Sequence, residues 1–418
     1  LRGCRLHKYK VYFAIPLIAW LLIIILFSSS LAILYLTLFE VCHAKRLWLQ
    51  QTYPALFLGI SPLVMAFSAW CCLYFSPGAS GSGHELSSQF LTTSPAHLTF
   101  QKEGVLQKYF SLRIIIVKMA SSLLGVIGGS ALGKEGPLVH IMTALWVLFS
   151  KRFSYFSLET ALIVGSSLGF AAVFSSPFIG FIFMIENFGF KIFKKKISWH
   201  LASFTGMAIV CLLTTKFLHY HTPFPTQNLD FMHISYLVPA ISIVVFTGMT
   251  GMILRYALTQ GQTWMNSFTP RQKIVCPLIG GMMIMALGFY GGNDVMAISN
   301  EEMTRNLNNH GIYHFWPLLG QLVNLIVAYT IGCAGGLVYP ALALGSHLGS
   351  AFSGFYPSLD GRFFCCLSMA AFLSILTRAP LTAAVIIVDI TGYDPLILPL
   401  LAGSLSVNFI NRVKSQPT

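Results

Sequence analysis

Two five-residue segments decide how this chain folds: Gly133–Pro137, with the sequence GKEGP, and Gly336–Pro340, with the sequence GLVYP. Both have the pattern G-x-x-x-P, and the second follows the first at an offset of 203 residues. Glycine and proline interrupt helices, and inside a membrane such interruptions occur where the backbone lines a cavity instead of facing lipid. Paired interruptions in two halves of a chain indicate a binding site near the middle of the bilayer.

The same offset relates further features of the sequence. It places Pro177 on Pro380 and Glu186 on Asp389, so that in each half a proline lies nine residues before a single carboxylate in an apolar run. We therefore predict an internal repeat. A helix that begins after such a break directs free N–H groups and a partial positive charge at the site, which favours an anion as the ligand.

The composition indicates a protein whose solvent is mostly lipid. Of the 418 residues, 55% are hydrophobic and only 9% are charged, and the mean hydropathy is +0.72, whereas soluble domains carry about 25% charged residues. We expect an all-α polytopic membrane protein with one transmembrane domain over residues 1–418 and approximate repeat halves at 54–215 and 234–410. Ten apolar runs supply the helices: Val11–Phe39, Ala55–Phe75, Ile114–Leu132, Ala161–Ile185, Leu201–Leu213, Ile234–Leu254, Val275–Tyr290, Phe315–Ile331, Phe363–Leu376 and Leu396–Ile410.

The net charge of +13 is concentrated at the ends of these runs. The clusters are Arg2, Arg5, Lys8 and Lys10; Lys151 and Arg152; Lys191, Lys194, Lys195 and Lys196; and Arg412 and Lys414. The positive-inside rule places them in the cytoplasm, with both termini on that side of a cell (inner) membrane. They act either on orientation and lipid headgroups alone or also draw anions toward a cytoplasmic mouth. Short clusters at membrane ends argue against binding of nucleic acid.

Three segments in this order resemble the CLC family of chloride channels and proton-coupled chloride exchangers: Gly81–Gly83 (GSG), Gly133–Pro137 and Gly336–Pro340. The stretches Ser175–Glu186 and Arg378–Asp389 resemble further segments of that family, so that the likeness covers nearly the whole chain. The resemblance implies a two-half inverted repeat of broken and re-entrant helices, a homodimer with one pathway in each subunit, and no cofactor. No CBS domains are recognised in the sequence, which resembles a minimal, prokaryotic, transmembrane-only type.

The resemblance also implies a role for single residues. Ser82 would offer its hydroxyl to chloride, Leu337 and Val338 would offer backbone N–H groups, and Glu135 would be the gate whose carboxylate competes with the anion. Without the family, Glu135 is explained equally well as a partner of Lys134 at a helix end. The other motif residues would support the site: Gly81, Gly83, Gly133, Lys134, Gly136, Pro137, Gly336, Tyr339 and Pro340.

Departures from the family pattern leave the mechanism open. Exchangers usually carry a proton-relaying glutamate where this chain has Asn187, which cannot titrate, and the neighbouring Glu186 is acidic in channels and exchangers alike. Glu186 and Asn187 therefore mark a possible proton path, and the sequence is compatible with a channel-like or weakly proton-coupled protein or with a strict antiporter. Ser82 favours chloride over fluoride or nitrate. His84 follows the first motif as a loop residue or a pH-sensing group.

A membrane enzyme is the remote alternative. Gly165–Gly169 matches the hydrolase pattern G-x-S-x-G, with Ser167 as the nucleophile, but it lies inside an apolar helix instead of after a strand. His219 and His221 form H-x-H without a third convergent ligand, and the nine cysteines form no metal pattern. We therefore expect a transport protein, not an enzyme, with no metal.

Overall fold

The structure is a computed structural model that describes residues 2–87, 90, 102–152, 157–189, 197–218, 229, 231, 233–292, 295–296, 300–308 and 315–415. The third basic cluster and the histidines of the H-x-H motif lie outside the described residues. In the described part we number sixteen α-helices. They are α1 (Arg2–Thr52), α2 (Pro54–Trp70), α3 (Lys102–Tyr109), α4 (Leu112–Ile127), α5 (Glu135–Arg152), α6 (Leu158–Phe174), α7 (Pro177–Phe188), α8 (Ile197–Leu218), α9 (Leu237–Ser267), α10 (Pro270–Gly291), α11 (Asn300–Asn308), α12 (Phe315–Thr330), α13 (Val338–Ser353), α14 (Gly361–Thr377), α15 (Pro380–Thr391) and α16 (Ile397–Ser415).

Helix lengths in the described residues fall into two groups. Five helical stretches are long and apolar enough to cross a membrane, and they have between 22 and 34 residues. Several other apolar helices are shorter, such as α6 with 17 residues and α7 with 12 residues. At about 1.5 Å per residue these short helices do not reach across a hydrocarbon core of about 30 Å by themselves. The mixture is the pattern of broken and re-entrant helices that the sequence predicted.

The apolar run Ala161–Ile185 is not one helix. It divides at Ser175, which ends α6 in the left-handed conformation with φ of 50°, and Pro177 then occupies the first turn of α7. The equivalent break in the second half falls at Arg378, with φ of 57°, directly before α15. Each break ends one helix and aims the N-terminus of the next one in a new direction.

The repeat inferred from the sequence recurs in the helices. The four consecutive helices α4 to α7 reappear as α12 to α15, and each of the later helices begins 203 residues after its counterpart. The unusual backbone positions follow the same rule. Three pairs with positive φ share the offset: Gly129 with Gly332, Ser175 with Arg378, and Gly189 with Gly392. Two copies of one backbone path therefore form the centre of the molecule.

Small residues bring helices together in both copies. A Cβ atom on Gly345 of α13 would lie 2.5 Å from the Cα of Met369 on α14, which is closer than real Cβ contacts allow. In the first copy, a Cβ atom on Gly165 of α6 would lie 2.7 Å from the Cα of Thr143 on α5. The Ser167 hydroxyl between the small residues of α6 donates to the Ile163 carbonyl at 2.8 Å. The G-x-S-x-G pattern thus lets two buried helices approach closely.

Candidate functional site

The two G-x-x-x-P segments meet in the structure. The Gly133 N–H donates to the Gly336 carbonyl at 3.0 Å, and the Gly336 N–H donates to the Gly133 carbonyl at 2.6 Å. The bridge is antiparallel and joins residues that the offset of 203 makes equivalent. A reciprocal pair between equivalent residues is what a local two-fold axis produces. The inverted repeat therefore has its axis at the interrupted helices, where α5 and α13 begin.

The third predicted segment, Gly81–Gly83, also contacts the second G-x-x-x-P break. The Gly81 N–H donates to the Cys333 carbonyl at 3.2 Å, and the Gly335 N–H donates to the Gly81 carbonyl at 3.2 Å. The ammonium group of Lys118 on α4 donates to the same Gly81 carbonyl at 2.7 Å, and this side chain is fully buried. The GSG segment is thus fixed by the second half of the chain and by a buried cation.

Glu135 begins α5 and is 1% exposed. Its Oε2 accepts a hydrogen bond from the backbone N–H of Tyr339 at 3.4 Å, and Tyr339 lies in the first turn of α13. A Cβ atom on Gly336 would lie 3.0 Å from the same oxygen, so a glycine is required for this approach. The carboxylate of one broken helix therefore occupies the N-terminus of the other, where the helix dipole favours negative charge.

Ser82 lies between the two breaks and is 3% exposed. Gly136 faces it directly: a Cβ atom there would collide with the Ser82 Oγ and would also lie 2.9 Å from the Cα of Gly336. The hydroxyl of Ser82 makes a hydrogen bond of 2.7 Å with Nδ1 of His84. The structure thus brings together Ser82, the gate segment and the start of α13, as the sequence motifs predicted.

Leu337 and Val338 form the start of α13. Leu337 is the N-cap residue with φ of −103°, and its own apolar side chain makes no capping hydrogen bond. Both residues are buried, and Leu337 lines the same cavity as Ser82. The acceptor that the structure gives to this helix start comes from outside the helix, because the Glu135 carboxylate accepts the Tyr339 N–H, and an anion that displaced this carboxylate would satisfy the same group.

The cavity that ends at Ser82 has a volume of about 590 Å³. It is rich in cationic and hydrogen-bonding side chains, which enter from several helices. They include Lys108, Arg255 and Arg378, with Tyr329 and Gln262 beside the GSG segment and Glu85 as an acidic member. Arg255 of α9 also donates to the Ile375 carbonyl at 3.2 Å, which holds the guanidinium at the cavity wall. A predominantly positive cavity raises the local concentration of anions.

Lys134 and Glu135 point to different partners. Lys134 forms an ion pair with Glu40 of α1, and the Glu40 side chain is 57% exposed. The sequence alone allowed Lys134 to pair with Glu135, whereas the structure places the Lys134 ammonium on α1 and the Glu135 carboxylate on α13. The charge next to the gate is therefore partly neutralised by an acidic residue from a distant part of the chain.

Glu186 and Asp389, the equivalent carboxylates near the ends of α7 and α15, each accept hydrogen bonds from the other helix. Glu186 accepts three hydrogen bonds at the start of α15: from the Leu381 N–H at 2.7 Å, the Thr382 N–H at 2.7 Å and the Thr382 hydroxyl at 2.6 Å. Asp389 in turn accepts from the side chain of Ser176, the N-cap residue of α7. Each helix thus supplies an acceptor to the N-terminus of its counterpart.

Asn187 is turned toward its own helix. Its Nδ2 donates to the Phe183 carbonyl at 3.1 Å, one turn earlier in α7. Neither Glu186 nor Asn187 belongs to the set of residues that meet around Ser82 and Glu135. Their part in a proton path remains a prediction, and the contacts described here give Glu186 the role of a helix cap.

Three residues beside the GSG segment were not anticipated from the sequence. Lys118 bonds to Gly81, while Arg255 and Tyr329 line the cavity next to Ser82. A signal for Lys118 was present, because a lone charged residue within an apolar run is a functional candidate, whereas Arg255 follows directly after the run Ile234–Leu254. Tyr329 gave no such signal, since an aromatic residue in an apolar helix is common in any membrane protein.

Fold and site together define an all-helical membrane protein in which two inverted copies of a helical unit enclose a buried carboxylate and a cationic cavity. The family model for the voltage-gated chloride channel matches residues 64–412, and the chain belongs to this family. The matched range contains all three motif segments, so the resemblance noted in the sequence is confirmed.

Curated relatives in this family are exchangers. The chain is 24% identical over 375 residues to the H(+)/Cl(-) exchange transporter ClcA of Klebsiella pneumoniae, an alignment that covers 86% of this chain and 76% of the relative. It is 25% identical over 385 residues to the protein of the same name from Salmonella agona, covering 88% and 76%.

Solved structures show the same fold. A slow cyanobacterial Cl-/H+ antiporter superimposes with a TM-score of 0.79 at 18% identity and covers 94% of both chains. A CLC-type fluoride/proton antiporter gives a TM-score of 0.75 at 18% identity and covers 96% of both chains. Because these identities are low, they establish the fold class of this chain and not its substrate.

Proposed function

We propose that this protein carries chloride and similar small anions across a membrane through a pathway gated by Glu135, in a channel-like or weakly proton-coupled manner. Ser82 supplies a hydroxyl donor, and Leu337 and Val338 supply backbone N–H groups. Family membership and the naming of the relatives as chloride exchangers support transport in place of enzymatic chemistry. Bromide and nitrate are expected as lesser substrates of the same site.

The observation that carries the proposal is the position of the Glu135 carboxylate. It is an anion, it is buried, and it accepts the N–H of Tyr339 at the start of α13. A place that accepts a carboxylate also accepts chloride, because helix N-termini bind anions through the same N–H groups and dipole. Chloride and carboxylate therefore compete, and protonation of Glu135 removes the tethered competitor.

The first experiment measures chloride efflux from liposomes that contain the purified full chain. We expect efflux above that of empty vesicles when the potential is clamped with a potassium ionophore. Vesicles containing the Ser82→Ala variant serve as the matched comparison and should show reduced efflux. Chloride efflux equal to that of empty vesicles would reject the proposal.

A strict chloride/proton antiporter is the second candidate, because the relatives are named H(+)/Cl(-) exchange transporters. Against it stands Asn187, whose amide cannot carry a proton. The discriminating measurement is whether a chloride gradient drives protons uphill in the same vesicles at zero membrane potential. Uphill movement in fixed proportion to chloride would establish the antiporter, and its absence would leave the channel-like mechanism.

The proposal includes the orientation of the protein in the membrane and its oligomeric state. The basic clusters at Lys151 and Arg152 and near both termini support an inner-membrane protein with both termini in the cytoplasm. The family resemblance supports a homodimer in which each subunit contains its own pathway. Accessibility of cysteines introduced near either terminus tests the orientation, and chemical crosslinking in the membrane followed by mass measurement tests the dimer.

A further inference from the structure

A histidine touches the predicted anion ligand. Nδ1 of His84 lies 2.7 Å from the Ser82 Oγ, and the His84 side chain is 4% exposed. Its other nitrogen, Nε2, has no hydrogen-bond partner among the described residues and lies 3.9 Å from Oε1 of Glu85. A buried imidazole is therefore fixed to the Ser82 hydroxyl by one nitrogen, while the second nitrogen faces a carboxylate and the cavity.

In the hydrogen bond between His84 and Ser82, either the imidazole nitrogen or the hydroxyl can be the donor. When Nδ1 carries a hydrogen it donates to Oγ, and the single hydrogen of the Ser82 hydroxyl is free to point at an anion. When Nδ1 carries a lone pair, the hydroxyl donates to it and turns the oxygen lone pairs toward the anion. In the neutral ring the Glu85 carboxylate, 3.9 Å from Nε2, favours the tautomer with its hydrogen on Nε2 and a lone pair on Nδ1. Because a serine has one hydrogen to donate, protonation of this tautomer releases the Ser82 hydrogen from Nδ1.

Groups of both signs face the imidazole. In the same loop, Glu85 favours a protonated ring, whereas cations on neighbouring elements favour a neutral one. A Cβ atom on Gly83 would lie 2.8 Å from Cγ of His140 on α5, so this second histidine packs beside the loop. The facing groups are Glu85, Lys118 of α4, His140 of α5, Arg255 of α9, Tyr329 of α12, Arg378 after α14 and Lys108 of α3. Both protonation states of His84 thus have a stabilising neighbour.

We propose that His84 is a positioning residue: its protonation directs the Ser82 hydroxyl toward the anion and so tightens anion binding at low pH. This inference rests on the proposed function, because it takes Ser82 as an anion ligand. It adds a second proton-sensitive group to the pathway, on the cavity side of the break, whereas Glu135 acts at the start of α13.

The test distinguishes His84 from Glu135 by using the Glu135→Gln variant as the background, because the glutamine cannot titrate. Chloride binding to the purified full chain is measured by calorimetry at about pH 8 and about pH 5.5, on either side of the usual histidine titration. In Glu135→Gln we expect binding about tenfold tighter at the lower pH, because a hydroxyl donor to the anion is gained. In the double variant with His84→Asn, which keeps a polar group near the Nδ1 position, the two affinities should be equal.

The matched control is His347 on α13. It is 3% exposed, and its Nδ1 lies 3.1 Å from Nδ2 of Asn306. Because it is nine residues from Val338, it lies about 13 Å along the helix from the site. The double variant of Glu135→Gln with His347→Asn should keep the tenfold difference between the two pH values.

A second measurement leaves His84 unchanged and removes the hydroxyl through which it acts. In the double variant of Glu135→Gln with Ser82→Ala, the ratio of affinities at the two pH values should fall to one. A tenfold ratio that persists in this variant, or in the variant with His84→Asn, overturns the inference while chloride flux by the wild type still upholds the proposed function. Absence of chloride flux in the wild type overturns the proposed function itself.

Discussion

At the scale of single residues, a buried carboxylate lies at the point where the two broken helices meet. Glu135 is buried, and its Oε2 accepts the N–H of Tyr339 across the two breaks. Gly133, Gly136 and Gly336 permit this approach because a side chain on any of them would enter the space of Glu135, Ser82 or the facing backbone. The position of the Glu135 side chain therefore depends on the absence of side chains at all three glycines.

Replacing Glu135 with Gln should remove the acid activation of chloride flux at saturating chloride. The neutral amide no longer competes as an anion, so flux at neutral pH should rise to the level that the wild type reaches only in acid. Efflux from liposomes at several pH values measures this, and saturating chloride prevents changes in affinity from entering the rate. Wild-type acid activation in this variant would remove Glu135 from the gate.

Replacing Glu40 with Gln should raise chloride flux at low ionic strength. The Lys134 ammonium then loses its partner on α1 and attracts anions toward the segment that contains Glu135. The increase should disappear above about 0.5 M salt, where the screening length falls to a few ångströms. The change in the free energy of unfolding should stay below about 1 kcal/mol, because the pair is partly exposed.

The control for Glu40 is Glu159→Gln, which removes one negative charge from the first turn of α6. This variant should leave the salt dependence of flux at the wild-type level. Equal increases in both variants would show that flux follows the net charge of the protein and not the Glu40–Lys134 pair.

Residue types explain which parts of the site could be read from the sequence. Glycine and proline act on their own backbone, so the positions of both breaks and of Glu135 between them were predictable from spacing. The contacts of Lys118 with Gly81 and of His84 with Ser82 depend on which helices become neighbours. One amino-acid sequence by itself does not show which helices pack together.

At the scale of helices, α7 and α15 stabilise one another through their ends. The Glu186 carboxylate accepts two backbone N–H groups and one hydroxyl at the start of α15, and Asp389 accepts from Ser176 at the start of α7. Free N–H groups in the first turn of a buried helix are costly when they lack acceptors. The Glu186 carboxylate therefore supplies acceptors to two such N–H groups of α15, while Asp389 ties the N-cap side chain of α7 to α15.

Replacing Glu186 with Ala should destabilise the protein by about 1 to 3 kcal/mol, because the start of α15 loses a partly buried charged acceptor of three hydrogen bonds. The unfolding of the purified protein in mixed detergent measures the change. The neighbouring Asn187→Ala is the control, and it should change the free energy of unfolding by less than about 0.5 kcal/mol, since within the described residues Asn187 donates to a carbonyl of its own helix. A Glu186 variant of wild-type stability with altered proton movement would favour the proton-path interpretation.

Helix boundaries were less predictable than helix existence. The run Ala161–Ile185 is continuously apolar, and hydropathy alone does not reveal that Ser175 turns the chain there. Pro177 was the signal, because proline is favoured in the first turn of a helix and disfavours helix at the residue before it. The equivalent Pro380 marks the second break in the same way.

At the scale of the whole molecule, the structure consists of two copies of one backbone path that meet at Gly133 and Gly336. The offset of 203 residues, predicted from four sequence features, also relates the starts of four helices and three pairs of positive φ. The outer bounds of the halves, 54–215 and 234–410, remain a prediction. The two copies contact each other at their helix ends, through the Gly133–Gly336 bridge and through Glu186 at the start of α15.

Replacing Gly336 with Ala should disrupt its bridge to Gly133 and so destabilise both halves of the chain. The new methyl group would lie 2.6 Å from the Gly136 nitrogen and would force the bridge apart. We expect a loss of about 1 to 3 kcal/mol in the free energy of unfolding and a loss of chloride flux. The control is Gly59→Ala in α2, where nothing lies within 4 Å of the added Cβ atom, so that stability should be unchanged or higher. Wild-type flux in Gly336→Ala would show that the bridge is dispensable.

The bridge between Gly133 and Gly336 also imposes an order on biosynthesis. The first break leaves the ribosome about 200 residues before its partner, which corresponds to roughly 10 to 40 seconds of translation. During that interval the backbone groups of Gly81 and Gly133 lack the acceptors and donors that Cys333–Gly336 later supply. The meeting of the three motif segments is therefore among the last features to form in the nascent protein, and a chain that ends before Cys333 has none of these hydrogen bonds.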